Sequence, residues 1–175
     1  MAQVAVRLVQ MEVRPGRPRE NTRVILRHIA RARQDGVALL VFPELAIPGY
    51  LLGDEWEHAA FLRECEACGE EVREAARGLV VVFGNVAVDW HKRNEDGRPR
   101  KYNALFVAED ARFVGPAGSE LPYVVKSLQP NYREFDESRH FTDTRRLALE
   151  LGRDVRDLIG PVHTRHLALG GLLCE

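Results

Sequence analysis

Apolar positions along the chain fall into short blocks that alternate between two periods. Residues 3–10 (QVAVRLVQ) are valine-rich and bounded by the turn-prone Arg14-Pro15-Gly16, which predicts a buried strand. Pro18 suits the first turn of a helix, and Ile25, Ile29 and Ala32 recur at spacings of four and three until Gly36 stops the run. Val37–Phe42 is apolar at every position and is ended by Pro43, the pattern of a strand covered on both faces. Phe61, Cys65, Cys68, Val72 and Ala75 then step by four and three along a second helix closed by Gly78, and Leu79–Phe83 is a further apolar run bounded by Gly84.

Beyond Gly84 the period shortens. Val86, Val88 and Trp90 alternate with other residues, and a polar loop follows at 91–100 (HKRNEDGRPR). Tyr102–Ala108 and Ala111–Val114 flank a Glu109-Asp110 turn, which predicts antiparallel meander strands. Leu147, Leu151, Val155 and Leu158 predict a short helix. Val162–Leu169 predicts a strand, interrupted by Gly170-Gly171 before Leu172-Leu173 lead into Cys174. A β-α-β-α-β order followed by antiparallel strands makes the fold class α/β: a mixed β-sheet with helices on one face. An apolar strand that runs straight into Cys174-Glu175 also predicts a domain spanning 1–175 and incomplete at its C-terminal end.

Composition narrows the class. A chain of 175 residues suits one domain and hides roughly 70% of its extended surface on folding, so no disulfide or metal is needed to hold it. Apolar residues at 45% and charged residues at 29% argue against disorder. Twenty-five basic against 26 acidic residues leave a net charge of -1, so no global field favours nucleic acid or an anionic membrane as a partner. The longest apolar runs fall well short of the roughly 20 residues of a spanning helix, and no secretory signal pattern opens the chain. Three cysteines, an odd number, with Cys65 and Cys68 too close for a loop-closing bridge, suit a reducing, cytoplasmic location.

Two patterns that suggest other functions have plainer explanations. Cys65-x2-Cys68 lacks a second pair and falls on the core stripe of a helix, and His163 and His166 would point to opposite faces of a strand, so no metal site is expected. Seven arginines lie between Arg14 and Arg33, and the Arg23/Arg27/Arg31 spacing fits the wet face of an amphipathic helix.

The chain has no GxxxxGKS, no GxGxxG opening a helix and no GxSxG, which removes support for NTPase, dinucleotide-binding and serine-hydrolase readings. Three reactive side chains instead follow apolar stretches: Glu44 in VFPELAIPGY, Lys126 in LPYVVK and Cys174 in LGGLLCE. Neighbouring strands bring such ends together, where α/β proteins build sites. A thiol is a nucleophile as thiolate, which a nearby ammonium favours. A desolvated carboxylate can take the thiol proton and pass it to a leaving amine. An ammonium and a backbone N–H can hold the oxyanion, at about 3 kcal/mol per donor. Taken singly, Glu44 reads as a loop carboxylate or helix cap, Lys126 as a surface lysine and Cys174 as a small core residue. Together they suggest a cysteine amidase.

VFPELAIPGY, KSLQPNYREFDESRHF and GGLLCE resemble the three signature segments of the carbon–nitrogen hydrolase (nitrilase) superfamily, in the order Glu…Lys…Cys. With MAQVAVRLVQ, LVVVFGN and YNALFVA, the likeness spans essentially all 175 residues. Lys-x5-Tyr followed by x2-Phe-Asp-Glu-x-Arg-x-Phe, and Cys-Glu after an apolar strand, are most similar to the glutaminase domain of glutamine-dependent NAD synthetase. The resemblance implies part of an α-β-β-α sandwich, with Cys174 as nucleophile, Glu44 as general base and acid, and Lys126 as oxyanion-stabilising cation. It further implies that Tyr50, Tyr132, Phe135 and Glu175 line a glutamine pocket, with the Glu175 N–H as second oxyanion donor and its carboxylate on the substrate ammonium. Glu137, Arg139 and Asn103 would play supporting or structural parts, and Gln129 departs from the common leucine.

The implied activity is hydrolysis of the glutamine amide, giving ammonia for NAD synthesis from deamido-NAD in a full-length parent that would be a homo-oligomer. The glutaminase step would need no cofactor. ATP and Mg would serve a synthetase domain that is not in these 175 residues, which hold no SGGxDS-like loop. A stand-alone amidase or carbamoylase of the same superfamily, and a catalytically inert truncated fragment, are the competing expectations.

Overall fold

The computed structural model describes residues 3–165, 167–171 and 173. Its sheet is built on β2 (Leu39–Val41) and β3 (Val80–Arg93), which pair in parallel, with β1 (Val6–Leu8) parallel to β2 on the other side. From β3 onward the pairing is antiparallel, through β4 (Pro99–Glu109) to β5 (Arg112–Phe113) and to β6 (Val124–Val125), which also joins β4. The sheet is therefore mixed, as the switch from continuous apolar runs to alternation predicts.

Helices α1 (Pro18–Gln34) and α2 (Ala59–Ala75) supply the larger core. Ile25, Ile29 and Ala32 of α1 and Phe61, Cys65, Cys68 and Val72 of α2 are buried against Leu40, Val81 and Phe83. Arg23, Arg27 and Arg31 face solvent. Burial raises the thiol pKa of Cys65 and Cys68, so both behave as small core side chains. Among the described residues, no helix is long and apolar enough to cross a membrane.

A smaller apolar cluster (Leu39, Val80, Val82, Val107, Val124 and Val162) lies apart from the helix-packed core and takes in residues of two short strands, β7 (Val162–His163) and β8 (Ala168–Leu169). Here the structure departs from the expected continuous strand at 162–169. Thr164 and Leu167 close a tight turn, and β7 and β8 pair antiparallel as a hairpin. At the other end of the sheet, β1 is shorter than residues 3–10 and is not buried. Val6 and Leu8 align with Leu39 and Val41, and at this edge they stay 52% and 77% exposed.

Two further boundaries differ from the pattern. The polar stretch at 91–100 is half strand, because β3 and β4 extend their pairing to Arg93 and Pro99 and leave a turn at 94–98. The single helix expected over 147–158 is two: α4 (Thr144–Leu151) stops at Gly152, whose φ of 62° breaks the helix, and Asp154 caps α5 (Val155–Leu158).

Candidate active site

Glu44 lies just past β2, where the chain turns sharply against β3. The Gly84 N–H donates to the Pro43 carbonyl at 3.2 Å, and the Ile47 N–H donates back to the Gly84 carbonyl at 3.3 Å. A Cβ at Gly84 would sit 2.7 Å from the Glu44 Cα and closer still to the Leu45 N, so only glycine lets the two backbones meet. Leu45 itself takes a left-handed φ of 45°.

Lys126 follows β6. Its N–H donates to the Asn103 carbonyl on β4 at 2.9 Å, and its carbonyl accepts from the Thr144 N–H at the start of α4 at 3.1 Å. A tether on each side leaves the side chain one course, into the protein, where it is 1% exposed. Its Nζ donates to Glu44 Oε1 at 2.9 Å, to Glu137 Oε1 at 3.1 Å and to the Tyr50 hydroxyl at 3.2 Å. Two residues that are 82 positions apart thus meet in a buried ion pair.

Asn103 and Glu137 complete this centre. Asn103, fully buried on β4, donates from Nδ2 to Glu44 Oε1 at 2.6 Å, and the Tyr50 hydroxyl reaches the same oxygen at 3.5 Å. All these contacts fall on Oε1, so among the described residues Glu44 Oε2 has no partner and keeps its lone pairs for a proton. Glu137 opens α3 (Glu137–His140) and is 5% exposed. Burial first, and then the charge of Glu44, push its carboxyl up to about 8, while the Lys126 ammonium at 3.1 Å pulls the other way. Two carboxylates around one ammonium would leave a buried net negative charge. A proton on Glu137 removes it.

The sequence pattern did not place Asn103 or Glu137 at the centre. The resemblance gave Asn103, the middle of a Tyr-Asn-Ala tripeptide, a structural part, and Glu137, in the Phe-Asp-Glu-x-Arg segment, a supporting or structural one. The signal that marks each is position: Asn103 occurs mid-strand with apolar neighbours, where a polar side chain must find a partner.

A cavity of about 260 Å³ opens beside the centre, with one wall at 50–56 and the other at 134–141. Tyr50 and Glu137 line it, and both touch Lys126. Phe135 lines it too, its ring 5.9 Å from that of Tyr50. Tyr132 packs on the far side of Phe135 at 5.6 Å, is 62% exposed and is not part of the lining. Cys174 and Glu175 lie outside the described residues. The structure therefore brings together Glu44, Lys126, Tyr50 and Phe135, and holds Tyr132 one ring further out.

Comparison with known proteins shows the family to which the fold belongs. Residues 5–175 match the family described as carbon-nitrogen hydrolase. The glutamine-dependent NAD(+) synthetase of Xanthomonas campestris pv. campestris is 34% identical over 78% of this chain and 22% of its own length. The corresponding protein of Thermotoga maritima is 33% identical over 81% of this chain and 22% of its own length. The chain thus spans about a fifth of the curated relatives it matches. Among solved structures, the glutamine-dependent NAD+ synthetase of Acinetobacter baumannii superposes with a TM-score of 0.64 at 28% identity, covering 79% of this chain and 23% of that one. An amidase from Nesterenkonia sp. shares the fold, with a TM-score of 0.60 at 22% identity over 80% of this chain and 48% of its own. The match over nearly the whole chain, on a mixed sheet that joins Glu44 to Lys126, makes this protein a member of the carbon-nitrogen hydrolase family.

Proposed function

We propose that the full-length gene product hydrolyses the side-chain amide of glutamine and that the ammonia serves the amidation of deamido-NAD. The observation that carries this reading is the buried contact between Lys126 Nζ and Glu44 Oε1, a fixed cation beside a carboxylate that keeps one free oxygen. The NAD(+) synthetase relatives supply the choice of glutamine.

In the reaction, the Cys174 thiol gives its proton to Glu44 Oε2 and the thiolate attacks the carboxamide carbon. The oxygen of the tetrahedral intermediate is held by the Lys126 ammonium and the Glu175 N–H. Tyr50 is the neutral and longest of the three partners of Lys126, so its hydroxyl is the one the oxyanion displaces. The C–N bond then breaks as Glu44 protonates the departing ammonia, leaving a thioester. Water gives a proton to Glu44 and adds to the thioester. The C–S bond breaks, the proton returns to sulfur, and glutamate leaves. No step calls on a cofactor, and ATP and Mg would belong to a synthetase part.

The test is ammonia release from glutamine by the full-length gene product, with and without Cys174→Ala. Turnover is expected to fall by orders of magnitude in the variant, since nucleophile and base act as a unit. Turnover near the wild-type rate would remove Cys174 from the mechanism. A wild-type enzyme with no preference for glutamine over propionamide would point to a simple amidase instead.

A further inference from the structure

Helix α3 is a single turn of four residues, and the side chain of its N-cap residue, Asp136, makes no capping bond. A helix that short does not hold itself in water, so its place is set by what its two ends touch. Glu137, the first residue, touches the Lys126 ammonium at 3.1 Å, and its carbonyl accepts from the Phe141 N–H at 2.8 Å, which closes the turn. His140, the last residue, is buried, and its Nδ1 lies 2.9 Å from Glu57 Oε1. Glu57 ends the turn Gly53–Glu57, which supplies Gly53 and Trp56 to the facing wall of the cavity. Burial pushes the Glu57 carboxyl up, but hydrogen bonds from Lys101 and His140 and the charges of Lys101 and Arg98 outweigh it and hold the group below its ordinary range. A carboxylate only accepts, so it is Nδ1 that carries a proton here.

Strand β4 fixes Glu57 in turn. Lys101 Nζ, 1% exposed, donates to Glu57 Oε2 at 2.6 Å and to the Trp56 carbonyl at 2.9 Å. Lys101 and Asn103 are two apart on that strand, so their side chains leave the same face. One holds Glu57 and the other donates to Glu44 Oε1, so a single strand carries the anchors for both ends of α3. Two other contacts reach the same turn and fix it less well. The Arg139–Asp54 pair is open to water and contributes little, and the Trp56–Phe141 ring contact at 4.9 Å has no donor to set a register. We infer that His140 and Glu57 are positioning residues for amide hydrolysis: their buried contact sets the register of α3 and so keeps the Glu137 carboxyl at Lys126. This rests on the amide-hydrolysing reading of the centre and adds to it two residues that touch neither substrate nor Lys126. When α3 shifts, Lys126 loses one of its three partners, and the ammonium no longer waits where the oxyanion forms.

The test separates the hydrogen bond from the volume of the ring, in the full-length gene product. His140→Phe keeps a ring and removes the donor, whereas His140→Asn keeps an N–H near the place of Nδ1. His140→Phe lowers kcat about ten- to a hundredfold for glutamine and propionamide alike, with KM changed by less than about threefold. His140→Asn recovers most of that loss, and His140→Leu, which has no ring, shows it again. In crystals of His140→Phe the Glu137 carboxyl stands more than about 3.5 Å from Lys126 Nζ. A side chain that only filled space would give the reverse order, with Phe close to wild type and Asn the poorest. That order, a kcat within about twofold of wild type in His140→Phe, or a Glu137 still bonded to Lys126 in its crystals overturns the assignment while amide hydrolysis stands. A wild type that does not prefer glutamine to propionamide overturns the choice of substrate alone, because propionamide reads the positioning equally well. A wild type that hydrolyses no amide overturns both.

Discussion

Replacing Lys126 with methionine tests the centre most directly, because the two side chains are close in length and differ mainly in the charge and the three hydrogen bonds. In the wild type the ammonium is 1% exposed and faces Glu44 and Glu137, which are 14% and 5% exposed. Removing one partner of a buried ion pair costs about 3–5 kcal/mol, because the remaining charge stays desolvated and unpaired. Two features place this case at the lower end. Glu137 already favours its proton near neutral pH, and Glu44 keeps the Asn103 bond at 2.6 Å. The expected loss is therefore about 3 kcal/mol at pH 7, which for a domain of this size lowers the melting temperature by roughly 6–12 °C. Urea unfolding of wild type, Lys126→Met, Glu137→Gln and the double variant reads the loss and the coupling together. Measured at pH 9, above the Glu137 carboxyl at about 8, the methionine should cost less in the glutamine background, where that carboxylate is absent. If Lys126→Met lies within about 0.5 kcal/mol of wild type at pH 7, or the two changes simply add at pH 9, the ammonium is not what holds these carboxylates, and the electrostatic account of the site is wrong.

Two further outcomes follow from the same geometry. Gly84→Ala forces a methyl into the Glu44–Leu45 backbone, so a loss of at least about 1–3 kcal/mol is expected, together with reduced amide hydrolysis as Glu44 is displaced; a variant of unchanged melting temperature and rate would show that the turn can yield. A carboxyl raised from about 4.5 to about 8 binds its proton more tightly in the folded than in the unfolded chain, so its contribution is complete below pH 4.5 and is lost as pH rises through 8. Glu137→Gln should flatten the fall in urea midpoint across that interval, and an unaltered slope would mean that Glu137 titrates normally.

Where the chemistry of an element is local, the primary structure was a good guide. Proline at the start of α1, the four-and-three spacing on α1 and α2, and the change from continuous to alternating apolar positions each reflect the geometry of one segment. Glu44 and Lys126 also follow apolar stretches as expected, but the strands before them, β2 and β6, are not neighbours: β3 and β4 lie between, and the two side chains meet across them. The errors came where packing outvotes pattern. The stretch 91–100 is polar, yet half of it is strand because β3 and β4 run on to Arg93 and Pro99. Val162–Leu169 is apolar enough for one strand, yet the Thr164–Leu167 turn folds it into a hairpin.

The sequence by itself determined α1, α2, the change from continuous to alternating strands and which residues carry reactive groups, since these depend on side chains within a few positions of each other. Only the tertiary structure decided what those groups touch. Asn103 and Glu137 meet Glu44 and Lys126 from β4 and α3, and the raised carboxyl of Glu137 arises from burial and from a charge 93 positions away in the chain. A hydrogen bond to a desolvated oxygen has no local signature. It exists because the sheet carries two distant backbones to within a few ångströms and water is excluded between them.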